Sequence, residues 1–272
     1  MIQDNYGLTN DQIGRCCPSV VAEAAHESRS NHYLYIPTIA VIETLREFGY
    51  IPTAAMQSKS LVAGQQAFTK HLLRLRKANH LGNREEDVPE IVLVNSHNGT
   101  SAYSIMAGIF RLVCSNGLIV GDVNTTLRVK HIGNIINEVL EATRTIAEEA
   151  EQTMRVVEEM KHIMLTWQDK VLLAKYALKA RFGDEQPRVI EGELVQPSSI
   201  HSPAAALQIR RREDRGDDLY TTLNVMQENL LTRGVRDNHG RRSRAVHGID
   251  QTLGVNRLLW QFAQELRGQL TS

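Results

Sequence analysis

The sequence predicts an α+β fold: an antiparallel β-meander packed by a long amphipathic helix, with a helical C-terminal segment. Three observations carry this expectation. Two Asn-Gly pairs, Asn98-Gly99 and Asn116-Gly117, each follow a β-rich run, and Asn-Gly best tolerates the positive φ of a tight hairpin turn. Beyond Asp122 the apolar residues step by threes and fours from Ile132 to Met164, the period of a helix with one apolar face. Two more helical patterns close the chain after a Pro-containing connection.

Taken in order, "HYLYIP" from His32 reads as a short strand, and Thr38 reads as the N-cap of a helix that Gly49 ends. "YIPTAAMQ" is extended. "AFTKHLLRLRK" alternates, with Phe68, Lys70, Leu72, Arg74 and Arg76 on one face. "VPEIVLVN", the Asn98-Gly99 turn, "SAYSIMAGIFRLVCS", the Asn116-Gly117 turn and "LIVGD" complete a meander, so the sheet spans about residues 33–121. Long helices then occupy about 127–182. The second runs from Trp167 to Phe182, with Thr166 and Asp169 as a near capping box and Gly183 as its stop. Residues 1–183 thus form an α+β core. Residues 184–208, poor in either period, read as a linker or surface loop, and 209–272 as a helical, Arg-rich segment.

Composition excludes more than it selects. The hydrophobic share of 42% supports a real core, no apolar run is long enough for a bilayer span, and "MIQDNYGLTNDQ" lacks the order of a secretion signal. A cytoplasmic protein is expected, with no membrane partner. The three cysteines, Cys16, Cys17 and Cys114, suit a reducing compartment. Thirty-one basic residues balance thirty-one acidic ones, so any polyanion site must be a local patch. All thirteen basic residues of 181–272 are arginine, whose planar fork grips phosphate at two points.

Catalytic chemistry is poorly supplied. Cys114, His97 and Asp122 could supply a nucleophile, base and orienter, but Cys114 lies at the far end of the strand whose near end adjoins His97. The ten histidines include no H-x-H or H-x-x-x-H pair, and no Gly-rich phosphate loop is present, so neither metal nor cofactor is expected. His97 suits a turn contact first, then a phosphate or base contact.

Binding chemistry is better supplied. Lys70, Arg74 and Arg76 project from one strand face and Arg111 from a neighbouring strand. Arg233, Arg236, Arg241, Arg242 and Arg244 fall within twelve residues of a Gly-containing segment expected to be flexible. A basic sheet face beside an arginine arm could hold a phosphate backbone and release its counterions. The competing reading of these charges is solvation, or pairing with the Glu-rich long helix. Asn95, His97 and Asn98 are expected as turn residues at the rim of that groove.

The blocks "VNSHNGTSAYSIMAGIFRLVCSNGLIVGD" and "DLYTTLNVMQENLLTRG" resemble the YafZ/YfjQ-like family of prophages and plasmids, domain of unknown function 932, over about Tyr33 to Trp260. That resemblance implies a mobile-element setting: DNA maintenance, recombination or countering host defence. A meander running into a long helix also resembles, in architecture alone, the core of Rad52-type single-strand annealing proteins. That likeness implies rings holding single-stranded DNA in a basic groove without a nucleotide cofactor.

The expected function is therefore a non-enzymatic, homo-oligomeric single-stranded DNA-binding protein of mobile elements, one form of which is an annealing factor. A second reading is a protein-interaction module that inhibits a host defence complex through Glu148, Glu149, Glu158 and Glu159 of the long helix. A third is a nuclease using Asp122 or His97 with a divalent metal.

Overall fold

A computed structural model describes residues 1–28, 35–82, 87–111, 116–119, 127–129, 135–183, 188–190, 193–195 and 200–271. The fold is α+β, and the chain divides into two compact units. The first comprises Met1–Leu112 and Ile119–Met154, the second Val113–Leu118 and Arg155–Ser272. The division falls inside the long helix and not near residue 183, because the helix after it packs with the C-terminal helices.

The first unit is built on strands β1 (Ile2–Gln3), β2 (Tyr50–Gln57), β3 (His71–Lys77), β4 (Asp87–Asn95) and β5 (Tyr103–Arg111). They lie side by side in that order, each antiparallel to the next. β6 is Asn116–Ile119, and β7 (Leu127–Val129) adds to β5. Register explains the core: Leu73 opposes Leu93 and Leu93 opposes Ile105, so three apolar side chains form one row across the sheet. Leu75, Ile91 and Ala107 form the next row, and all six are essentially inaccessible. Fully burying one such aliphatic side chain is worth about 1.5–3 kcal/mol.

Helix α1 (Asn10–Cys16) opens with a capping box in which Thr9 and Gln12 satisfy each other's backbone N–H groups. Helix α2 (Thr38–Glu47) is capped differently from the sequence expectation. Pro37 is its N-cap and Thr38 its first residue, because the Thr38 hydroxyl is engaged by buried histidines. The expected strand from residue 32 has its start outside the described residues, and Tyr35 to Pro37 are not extended into a sheet. The hairpin at Asn98-Gly99 forms, with Gly99 at φ +75°, but the turn is wider than two residues: β4 ends at Asn95 and β5 begins at Tyr103. Asn98 Oδ1 accepts from the Thr100 N–H and hydroxyl, a side-chain mimic of a turn. Asn116-Gly117, expected to be a turn, starts β6 instead.

The long helix α3 (Ile135–His162) appears where the period placed it, burying Ala142, Ile146 and Ala150 at four-residue steps. Its Arg144 guanidinium lies 5.8 Å from the centre of the Phe48 ring, at the end of α2.

In the second unit, α4 (Trp167–Phe182) starts at the predicted capping box, with Thr166 and Asp169 bonded both ways, and ends at Gly183. Part of the expected linker is a small ribbon, β8 (Arg188–Ile190) pairing with β9 (Glu193–Val195). Then come α5 (Pro203–Ala206), α6 (Leu219–Glu228) and α7 (Ile249–Thr271). α7 packs on α4 and α6, burying Leu173, Ala177, Leu223, Met226, Leu259 and Ala263 among others. α6 continues into one π-helical turn, Asn229–Arg233, stopped by Gly234. Single π turns of this kind often mark functional positions.

Candidate nucleic-acid interface

The strand cations anticipated as a phosphate surface are internal. Arg74, Arg76 and Glu90 lie on one face of the sheet, and both arginines donate from Nε to the two oxygens of Glu90, the Arg76 bond measuring 2.6 Å. Arg76 is 2% exposed, its guanidinium stacked 3.7 Å from the Phe110 ring centre and its Nη1 donating to Asn5 Oδ1 at 3.2 Å. Arg111 is 3% exposed and pairs in register with the buried Asp87. Lys70, half-buried, lies one residue before β3 begins. A guanidinium without surface cannot meet a polymer, so Arg76 and Arg111 are not phosphate contacts, and Arg74 is held by Glu90. Alternation alone assigns a side chain to a face; it does not say that the face is covered on both sides of the sheet.

Asn95 and His97 are also buried, both at 0% exposure, and belong to a polar cluster and not to a rim. His71 and Asn95 oppose each other at the ends of β3 and β4. The Ser19 hydroxyl and His71 Nδ1 are 2.8 Å apart, His71 Nε2 and Thr38 Oγ1 2.9 Å, and Asn95 Nδ2 donates to Thr38 Oγ1 at 3.0 Å. His97 Nε2 lies 3.4 Å from the same hydroxyl, and the two imidazole centres are 5.3 Å apart. Burial, then the neighbouring His97, pushes the His71 pKa down to about 3, so this ring is neutral in the folded protein. Asn98, by contrast, is only half-buried, at the turn.

The arginine-rich segment is brought together, and it is folded. Ser243 N–H donates to Val235 O and Asp237 N–H to Arg241 O, both at 2.9 Å, while Arg236 and Arg242 face each other as a β-bridge. Gly234 makes this fold possible: its φ is +75°, and a Cβ there would run into the Ser243 carbonyl and come within 2.9 Å of Arg242 Cγ. Arg233, Arg236 and Arg242 are exposed.

Two residues that the sequence reading did not single out complete the group. Arg210 Nε donates to Asn229 Oδ1 at 2.6 Å, and Asn229 is fixed in turn by the Ala206 and Gln208 carbonyls. Arg211 Nη2 and Arg233 Nε both donate to Oε1 of the buried Glu228, at 2.6 and 2.9 Å, and Arg211 also lies 3.6 Å from the buried Asp214. Burial first, then the positive charge of Arg242, with smaller contributions from Arg233 and Arg236, holds the Arg210 pKa below its ordinary value, and Glu228 opposes the shift. Five guanidinium groups therefore converge on the turn after α6, with Glu228 and Asp214 paired into them: five cations, two anions, a surplus of three. The run "IRRRE" at 209–213 was the signal; mixed charge around it hid the excess. Arg241 and Arg244 stand outside the cluster's pairings: Arg241 is bonded to Asp237, and the Arg244 carbonyl accepts from Arg181.

The acidic face of α3 is partly spoken for, Glu158 by Lys161 and Glu159 by Arg267. Burial raises the Glu149 pKa. Asp122 and Cys114 lie outside the described residues, and among the described residues no three His, Cys, Asp or Glu side chains are grouped to share a metal. No helix among them is long and apolar enough to cross a membrane.

Fold and site together describe a two-unit α+β protein with a compact, over-charged arginine cluster on its helical unit. The chain belongs to the family described as domain of unknown function DUF932, whose profile matches residues 25–260. It is 37% identical over 274 residues to each of two Escherichia coli K12 proteins, UPF0380 protein YafZ and UPF0380 protein YfjQ, covering 99% of this chain and 95% of each relative. No solved structure matches.

Proposed function

We propose that this protein is a non-enzymatic, oligomeric single-stranded DNA-binding protein of mobile genetic elements, an annealing factor being one form of that activity, and that it holds the phosphate backbone on the arginine cluster of its second unit. The observation that carries the reading is the convergence of Arg210, Arg211, Arg233, Arg236 and Arg242 around only two paired carboxylates. Guanidinium groups with surplus charge favour phosphate, because each ion pair formed also releases condensed counterions.

Single strands suit the site better than duplex. Four of the five arginines lie off any helix and Arg233 is the last residue of the π-helical turn, so the set is not offered along one helix face as a recognition helix offers its residues to a major groove. Self-association is supported by α4 and α7: Trp167, Leu172, Tyr176 and Leu258 are exposed, and the Tyr176 ring packs on Phe262 at 4.9 Å. Exposed apolar side chains that gather on one surface mark interaction sites.

The test is light scattering and filter binding with a fluorescent oligonucleotide, for the wild type and for Arg236→Gln/Arg242→Gln. The reading predicts a protein larger than one chain that binds oligonucleotide, with binding at least tenfold weaker in the double variant. Unchanged binding in that variant moves the site elsewhere. An absence of binding in the wild type removes the function.

A further inference from the structure

A backbone track and a terminal phosphate ask for different arrangements of cations. Internal phosphodiesters each carry one negative charge and are strung along the polymer, so a track needs cations spaced along a groove. A terminal phosphomonoester gathers about −1.5 to −2 charges and three acceptor oxygens at one point. The arginines of this site are gathered, not strung out. One carboxylate oxygen, Glu228 Oε1, receives both Arg211 and Arg233. The next residue, Asn229, holds Arg210. Gly234, one residue past Arg233, lies against Arg242, and Arg242 is bridged to Arg236.

The tethers of Arg210 and Arg233 point the same way, while Arg236 donates from Nη1 to the Gly240 carbonyl at 2.8 Å. Arg210 and Arg233 are both held through Nε, by Asn229 Oδ1 and Glu228 Oε1. A guanidinium fixed at Nε keeps its two Nη groups as a fork, the geometry that grips two oxygens of one phosphate. The tethers are rigid: Asn229 is 1% exposed and bonded to two carbonyls, and Glu228 is 3% exposed. Arg242 is exposed and, among the described residues, has no hydrogen bond or ion pair to its guanidinium. Its charge is the largest charge effect on Arg210, another cation. The charge of Arg242 outweighs the opposing effect of Glu228 on Arg210, so a ligand anion held by both guanidinium groups would relieve their repulsion.

We infer that the cluster of Arg210, Arg233, Arg236 and Arg242 is a terminal-phosphate site, which prefers a strand end bearing a phosphomonoester over internal diesters. The inference rests on the nucleic-acid reading of the same cluster and narrows its ligand.

The experiment is a fluorescence competition with the full chain and four unlabelled oligonucleotides: dT12 with a 5′-phosphate, dT12 with a 3′-phosphate, dT12 with hydroxyl ends, and dT13 with hydroxyl ends. The dT13 control has as many phosphates as either phosphorylated dT12. Phosphorylation at one end is expected to improve competition roughly tenfold over dT13, the size of one added charge-assisted contact. Arg242→Gln and Arg210→Gln should each remove most of that preference while binding of dT13 falls less. Their melting midpoints serve as the control for folding. Inorganic phosphate should compete with the phosphorylated strand at lower concentration than with dT13. If all four strands compete equally, the terminal-phosphate site is wrong and the backbone reading stands. If none competes, both fall. A preference that survives in both variants places the end-reading site elsewhere and overturns the inference.

Discussion

Acid should weaken the first unit through His71. The ring is completely buried, its hydrogen-bond partners Ser19, Thr38 and the Thr69 carbonyl are neutral, and its folded pKa is pushed down to about 3. In the unfolded chain the same imidazole titrates near 6.5. Above that pH neither state binds the proton, and the network contributes in full. Below it the unfolded chain takes up a proton that the folded chain refuses, so stability falls as the pH falls. The slope approaches about 1.4 kcal/mol per pH unit and continues down toward the folded pKa. Between pH 6.5 and 4.5 the loss from this one residue is roughly 2–3 kcal/mol, a large part of the stability of an ordinary domain. Urea midpoints measured every half unit from pH 7.5 to 4.5 give the slope for the wild type and for His71→Gln, whose amide does not titrate. The variant starts less stable but loses less with acid. Ring proton shifts supply the independent check, since His71 should show no titration above pH 5. A His71 resonance that titrates near 6.5, or equal slopes in the two proteins, would show that burial of this ring does not oppose its protonation.

Three substitutions probe other joints of the structure. Glu90→Ala leaves the buried Arg76 and the half-buried Arg74 without their shared carboxylate and should cost about 3–5 kcal/mol, read as a lowered urea midpoint of the first unit. Gly234→Ala meets both an unfavourable φ and the Ser243 carbonyl, so a loss of at least about 2 kcal/mol is expected, with weakened oligonucleotide binding as Arg242 shifts. Thr166→Ala removes the α4 cap for about 1 kcal/mol and leaves binding unchanged.

Periodicity made much of the fold legible. β2, β4, α3 and α4 stand where spacing, caps and stop glycines put them, because each of those signals acts within a few residues of its effect. What the sequence hid was coverage. Arg76 and Arg111 alternate like surface residues, yet both faces of the sheet are covered and Glu90, fourteen residues from Arg76, provides the compensating charge. His97 looked like a turn residue because its partner hydroxyl, Thr38, is fifty-nine residues away. The second Asn-Gly pair misled for a related reason: a local turn preference yields to strand pairing. In the second unit the arginines between 233 and 242 were visible, but Arg210 joins them only through Asn229, and no local pattern carries that contact.

Phosphate binding by the arginine cluster is read out by the salt dependence of single-strand binding. A surplus of three positive charges engaging phosphate predicts that the logarithm of the affinity falls with the logarithm of salt at a slope of about −2. Arg236→Gln/Arg242→Gln should flatten that slope by about 1.4, two contacts at roughly 0.7 each. A slope near zero in the wild type, or one that the double variant leaves intact, would contradict the assignment of phosphate binding to this cluster.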